Sequence, residues 1–195
     1  MEQYIEILGT GVGLIYLWQE YRASIYLWIT SIIMPAIYLY VYYQAGLYAD
    51  FGINIYYLVI ALYGWLAWRY NFSLRGKRKE SKELSISHIR QGVIIRLALL
   101  FLAAWAIISY ILIHYTNSTV PFTDAFTTAL SIVGMYMLAR KYIEQWWVWL
   151  VVDITSYALY IYKELYFTAA LYALYAIIAI FGYRKWKQLM NNEKH

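Results

Sequence analysis

The chain has 195 residues, 63% of them hydrophobic and 14% charged, with a formal net charge of +5. A soluble domain carries about a quarter charged residues, whereas here the few charges cluster between apolar stretches as long as a bilayer core is thick. That excludes a soluble enzyme domain, and the absence of cysteine excludes disulfides, iron–sulfur clusters and thiolate metal sites.

Seven apolar segments follow in chain order, at roughly 4–19, 24–45, 51–70, 90–114, 122–140, 145–162 and 165–186. The N-terminal Met1-Glu2-Gln3-Tyr4-Ile5-Glu6 is acidic and lacks the basic start of a signal peptide, so the first segment reads as a retained helix. Its Gly9, Gly11 and Gly13 suit close helix packing. Pro35 breaks the second segment and marks a candidate bend or hinge, because it removes a backbone hydrogen bond. The long polar stretch 69–90 is a loop or surface helix. It holds the basic run Arg75-Gly76-Lys77-Arg78-Lys79, read as an anchor facing anionic lipid and not as a nucleic-acid site. The histidines His88, His114 and His195 lie far apart, so no metal or cofactor is expected.

Basic residues fix an orientation. With the N-terminus outside, fifteen of the sixteen lysines and arginines fall on the inner side, and only Lys163 lies outside. A wrong helix count would scatter them. The expected fold is an all-α membrane protein of seven transmembrane helices, N-out and C-in.

The sequence also repeats itself. Residues 48–68 align with 166–186 without a gap, placing Tyr48 on Tyr166, Tyr57 on Tyr175, Gly64 on Gly182, Trp65 on Tyr183 and Trp68 on Trp186. Upstream, a three-residue change of offset places Gly13 on Gly134, Tyr21 on Tyr142, Trp28 on Trp149 and Pro35 on Ser156. The reading is a 3+1+3 plan: a first three-helix repeat over 1–70, a basic loop and connecting helix over 71–115, and a second repeat with its tail over 116–195. The extra helix makes the repeats parallel, an architecture of transporters with substrate near the midplane between the units.

The interior offers a ligand aromatic rings and few charges. Trp65 with Trp68, and Trp146 with Trp149, stand three residues apart, a spacing that sets both indoles of a pair on one helix face. Such faces suit a flat cation, at about 0.5–2 kcal/mol per ring; an interface belt is the alternative, and the natural one for Trp68. Asp153 lies inside the sixth segment, where a charge costs roughly 2.5 kcal/mol or more, so it needs a cavity, a partner or a proton. Tyr157, Tyr160, Tyr162, Tyr172 and Tyr175 sit mid-membrane, lining a path or bonding helix to helix. Asn54 is the other polar residue placed on the path.

Leu47-Tyr48-Ala49-Asp50, Tyr63-Gly64-Trp65-x-x-Trp68 and Trp146-x-x-Trp149-x-x-x-Asp153, on a 3+1+3 plan, resemble the Pnu vitamin transporters. This family includes PnuC-like nicotinamide riboside carriers and PnuT-like thiamine carriers, with a full-length SWEET-like fold. The resemblance implies facilitated diffusion across the bacterial inner membrane, with the vitamin trapped by a cytosolic enzyme. It implies substrate contacts from the Trp146/Trp149 helix and the Asn54–Tyr57 part of the third, and assembly such as a trimer. Together with the aromatic pairs, the expected substrate-binding residues are Asn54, Tyr57, Trp65, Trp146, Trp149, Asp153 and Tyr157. Riboside carriers have Gln where this chain has Asn54, which leans the reading toward thiamine. Rival readings are a SWEET-type sugar carrier and a seven-helix receptor or scaffold. An ATP-driven pump is excluded by the missing phosphate-binding loop, a retinal protein by the lack of a lysine inside a late helix, and a membrane enzyme by its dispersed acids and histidines.

Overall fold

The computed structural model describes residues 2–44, 48–70 and 84–192. The basic run at 75–79 lies outside the described residues. Among them are seven helices: α1 (Glu2–Tyr21), α2 (Leu27–Gln44), α3 (Tyr48–Tyr70), α4 (Gln91–Tyr115), α5 (Pro121–Ala139), α6 (Gln145–Tyr162) and α7 (Tyr166–Asn192). All seven expected segments are helical, and α7 runs six residues beyond its expected end at 186. By length and composition α4, α5 and α7 are able to cross a membrane; the 25 residues of α4 span about 37 Å. Pro35 does not break α2, which continues from Leu27 to Gln44 with the proline inside it.

The chain divides into two compact units, Met1–Ser85 and Ile86–His195. In the first, α2 packs on both α1 and α3; in the second, α4, α5, α6 and α7 pack in sequence order. The helix between the expected repeats thus packs on α5.

Each unit turns its first tight corner in the same way. α1 ends with Ala23 at φ 51°, where the Ser24 N–H donates to the Gln19 carbonyl (2.9 Å) and the Ala23 N–H to that of Glu20 (2.9 Å). α5 ends with Lys141 at φ 50°, where the Tyr142 N–H donates to Met137 (3.0 Å) and the Lys141 N–H to Leu138 (2.9 Å). These paired bonds form a left-handed helix cap that satisfies carbonyls the helix end leaves open. Every donor and acceptor of the first cap recurs 118 residues later, as do both bounds of α2 in α6 and the start of α3 in α7.

Behind each corner an indole lies on a helix glycine. Trp28 of α2 covers Gly64 of α3 and meets Trp68 edge-on at 5.5 Å; Trp146 of α6 covers Gly182 of α7 and meets Trp186 edge-on at 5.8 Å. All four tryptophans are essentially enclosed, at no more than 2% exposure. The expected change of offset is therefore absent: Trp28 matches Trp146, not Trp149, and Pro35 matches Asp153, not Ser156. The reason is an exchange of bulk. Where α5 and α6 oppose Gly134 with Trp149 (3.3 Å from an added Cβ), the matching residues of α1 and α2 are Tyr16 and Ser31, which hydrogen-bond. Aligning glycine with glycine and tryptophan with tryptophan slips the register by three. In α1 the expected close packing is not made at Gly11, which faces open space.

The second unit has further ties. Ser87 pairs with the α5–α6 turn, donating to Lys141 and accepting from Ile143, both at 3.1 Å. Glu144 holds the same segment, with His88 Nδ1 at 2.7 Å and the Ile89 N–H donating at 3.0 Å. Phe101, Trp105 and Phe126 interlock between α4 and α5, where the Trp105 indole donates to the Phe122 carbonyl. The outward residues Ile95, Leu99, Leu102 and Ile107 of α4 are exposed, as suits a lipid-facing helix. Pro121 opens α5, its missing N–H harmless there, and Asp124 in its first turn accepts from Ser118 (2.7 Å) and pairs with Lys163 at 3.5 Å.

The indole-on-glycine contacts predict a sharp asymmetry among the glycines. A methyl group at Gly64 would run into the Trp28 ring, and one at Gly182 would lie 2.6 Å from Trp146 ring atoms, while Gly92 has nothing within 4 Å. Gly64→Ala and Gly182→Ala should each destabilise the protein by about 1–3 kcal/mol, and Gly92→Ala should not. Thermal unfolding of the detergent-purified variants checks this.

Candidate substrate-binding site

The register set by Trp146 on Gly182 determines what faces what further along α6 and α7. Asp153 stands two helical turns beyond Trp146 on α6 and Tyr175 two turns before Gly182 on α7, the spacing at which antiparallel helices bring residues to one level. Asp153 is 7% exposed and acts electrostatically on both tyrosines. Tyr172 stacks on Tyr160 at 5.2 Å and 18°, with their hydroxyls hydrogen-bonded, and meets Tyr175 edge-on at 5.7 Å. Among the described residues no basic side chain pairs with Asp153. The chemistry offered is a carboxylate beside three phenol rings, a setting suited to an organic cation or to hydrogen-bonding groups on a flat ring.

Helical spacing extends this polar face back toward the start of α6. Gln145, Trp149 and Asp153 recur every four residues and share one stripe. Gln145 is completely enclosed, and Trp149 is half-buried with its indole Nε1 buried and, among the described residues, without a hydrogen-bond partner. No group of three or more metal-ligating side chains occurs among the described residues.

The expected site residues do not all converge. Trp146 and Trp149 do not form a shared platform, because three residues leave about 60° between side chains: Trp146 turns to Gly182 and Trp186 on α7, and Trp149 to Gly134 on α5. Trp149 alone of the two has surface to offer. Trp65 and Trp68 part likewise: Trp68 is enclosed against Trp28, and half-buried Trp65 meets Tyr70 edge-on at 6.1 Å. Tyr157 is 42% exposed and stands apart from the tyrosine cluster. In the first unit Asn54 and Tyr57 are half-buried on α3, Tyr57 tilted against Tyr56 at 5.6 Å. At the constant spacing they match Tyr172 and Tyr175, and half-buried Pro35 matches Asp153. Tyr160, Tyr172 and Tyr175 were visible in sequence as unexplained mid-helix phenols. Gln145 carried no signal beyond its place at the start of a segment.

A family model described as "Nicotinamide mononucleotide transporter" matches residues 3–188. The chain belongs to that family. Among its relatives is the nicotinamide riboside transporter PnuC of Escherichia coli (strain K12), 24% identical over 94% of this chain and 84% of that protein. The PnuC of Neisseria mucosa is 28% identical over 82% of this chain and 63% of its own length. The riboflavin/roseoflavin transporter RibM of Streptomyces davaonensis is 26% identical over 93% of this chain and 83% of that one. A crystal structure of the vitamin B3 transporter PnuC superposes with a TM-score of 0.66 at 22% identity, covering 94% of this chain and 80% of that chain. It shares the fold. Family membership makes this an integral membrane protein of a transporter class. These relatives are named for nicotinamide riboside and riboflavin, so the lean toward thiamine gains no support from them.

Proposed function

We propose that the protein carries a flat, ring-bearing B-vitamin across a bacterial inner membrane, with nicotinamide riboside the first candidate. The observation that carries this reading is the family match over 3–188, which reaches all seven described helices and joins relatives named as vitamin transporters. The physical chemistry of α6 and α7 supports it: a membrane helix retains a buried carboxylate only for a reason, and Asp153 beside Tyr172 and Tyr175 suits a pyridinium. Trp149 would add its ring face, and Trp146 would back the helix from behind. Asn54, Tyr57 and Trp65 of the first unit, and Tyr157, remain proposed contacts of the vitamin at some stage of its passage. Asn54 also favours a second reading, thiamine, since its amide is one carbon shorter than the Gln of riboside carriers.

Seven crossings, N-out and C-in, follow from the distribution of basic residues. The units are proposed copies of one three-helix ancestor, supported by the constant spacing of caps, glycines and tryptophans. Transport is by alternating access without a driving ion, Pro35 serving as the bend in α2, and intracellular modification retains the vitamin. Oligomers such as trimers fit the resemblance.

Three measurements test this. Uptake of nicotinamide riboside, thiamine and riboflavin into proteoliposomes identifies the cargo, and an imposed proton or sodium gradient is expected not to raise any of them above the outside concentration. Trp149→Ala should weaken vitamin binding by roughly 3- to 30-fold, the loss of one ring contact, while Trp18→Ala, a 60% exposed residue far along α1, should leave it intact; equal losses would demote Trp149 to an anchor. Asp153→Asn keeps the shape and removes the charge. It should cost a cationic vitamin roughly tenfold or more in affinity and uncharged riboflavin much less, as read by equilibrium binding to purified protein.

A further inference from the structure

The polar face of α6 contains a group that the proposed contacts leave unused. Gln145 is completely enclosed, and neither its amide oxygen nor its amide nitrogen has a hydrogen-bond partner among the described residues. A buried amide in that state is costly, because both of its ends gave up water and received no partner in exchange. The molecule supplies its own control. At the matching place in the first unit stands Leu27, equally enclosed, and likewise followed by a tryptophan lying on a helix glycine. An apolar side chain of similar size is thus compatible with packing at the matching point of the first unit. One turn along the same stripe the Trp149 indole N–H is also buried and has no hydrogen-bond partner among the described residues. The unpartnered indoles of Trp28 and Trp146 differ in kind, since they occur in both units as part of the shared packing.

We infer that Gln145 is a specificity-determining contact of the carrier, closed off in this conformation and hydrogen-bonded to the vitamin when the start of α6 opens. The inference rests on the transport reading above and deepens it. A carrier shows its binding groups to one side of the membrane at a time, so a sealed amide with empty bonds is what its closed side would hold. A glutamine amide presents two donor hydrogens and an acceptor oxygen. Its complement is a substituent that both donates and accepts, which a nucleoside offers as a ring carboxamide or as its sugar hydroxyls. Trp149 adds a second donor one turn away.

The experiment compares wild type with Gln145→Leu, full chain in sealed vesicles, measuring uptake of nicotinamide riboside and of nicotinate riboside beside thermal unfolding of the purified proteins. Because the substitution copies Leu27, the variant should unfold at the same temperature or higher. Its uptake of nicotinamide riboside should fall roughly tenfold, as for one lost hydrogen-bonding group. A fall confined to the amide-bearing riboside assigns the contact to the carboxamide; an equal fall for both assigns it to the sugar hydroxyls. Unchanged uptake of both ribosides by the folded variant overturns the inference. So does a clear drop in unfolding temperature, which would make the amide part of the packing. Wild-type protein that carries neither riboside overturns the inference before any variant is compared, whereas the transport reading itself falls only if thiamine and riboflavin are not carried either.

Discussion

An indole laid flat on a helix glycine is the contact on which the rest of this structure depends. It lets α2 approach α3, and α6 approach α7, closely enough that one side chain fills the space between two backbones. It also fixes register. Packed helices interdigitate in discrete steps, so once Trp146 sits on Gly182 the residues facing each other along both helices are settled. Asp153 meets Tyr175 because of a tryptophan two turns away. The enclosed partners Trp68 and Trp186 close each contact edge-on, the arrangement that ring quadrupoles prefer.

At positions 118 residues apart the two units carry different chemistry. Where the first unit has Leu27, Ser31 and Pro35 along α2, the second has Gln145, Trp149 and Asp153 along α6. Asn54 of α3 gives way to Tyr172 of α7. Bulk is conserved in sum across the Tyr16–Ser31 and Gly134–Trp149 pairs but moves from one helix to its neighbour. The caps, the Gly64–Gly182 pair and the four enclosed tryptophans recur in both units, which separates what holds the fold from what is free to vary on it.

Much of the fold was legible because a bilayer imposes length and apolarity on every span, and because charge cannot be scattered through it. The seven segments came out within a few residues of the helices for that reason. The Gly64–Gly182 pairing was legible too, since Gly-aromatic-x-x-Trp recurs without a gap. The upstream register was not. Residue identity is a poor guide when bulk passes between facing helices, and Trp149 resembles Trp28 in type while Trp146 does its work. Spacing by three also failed to predict which neighbour each indole would choose, because about 60° of rotation is enough to aim two long side chains at different helices. Gln145 was illegible for a simpler reason: at the end of an apolar segment a glutamine reads as a boundary, and only packing reveals that it is sealed.

Comparing the two units also separates carrier from scaffold. A helix bundle with no cargo has every reason to fill its enclosed positions with apolar side chains, and the first unit shows that leucine at one of them is compatible with the frame. Yet α6 places an amide, an indole N–H and a carboxylate in a row on one stripe, two of them without hydrogen-bond partners among the described residues. Each such group costs stability in the state described. Groups of this kind, aligned at four-residue intervals on one helix and missing from its counterpart, are accounted for by something that binds them in another state. A molecule that passes through and leaves meets that requirement.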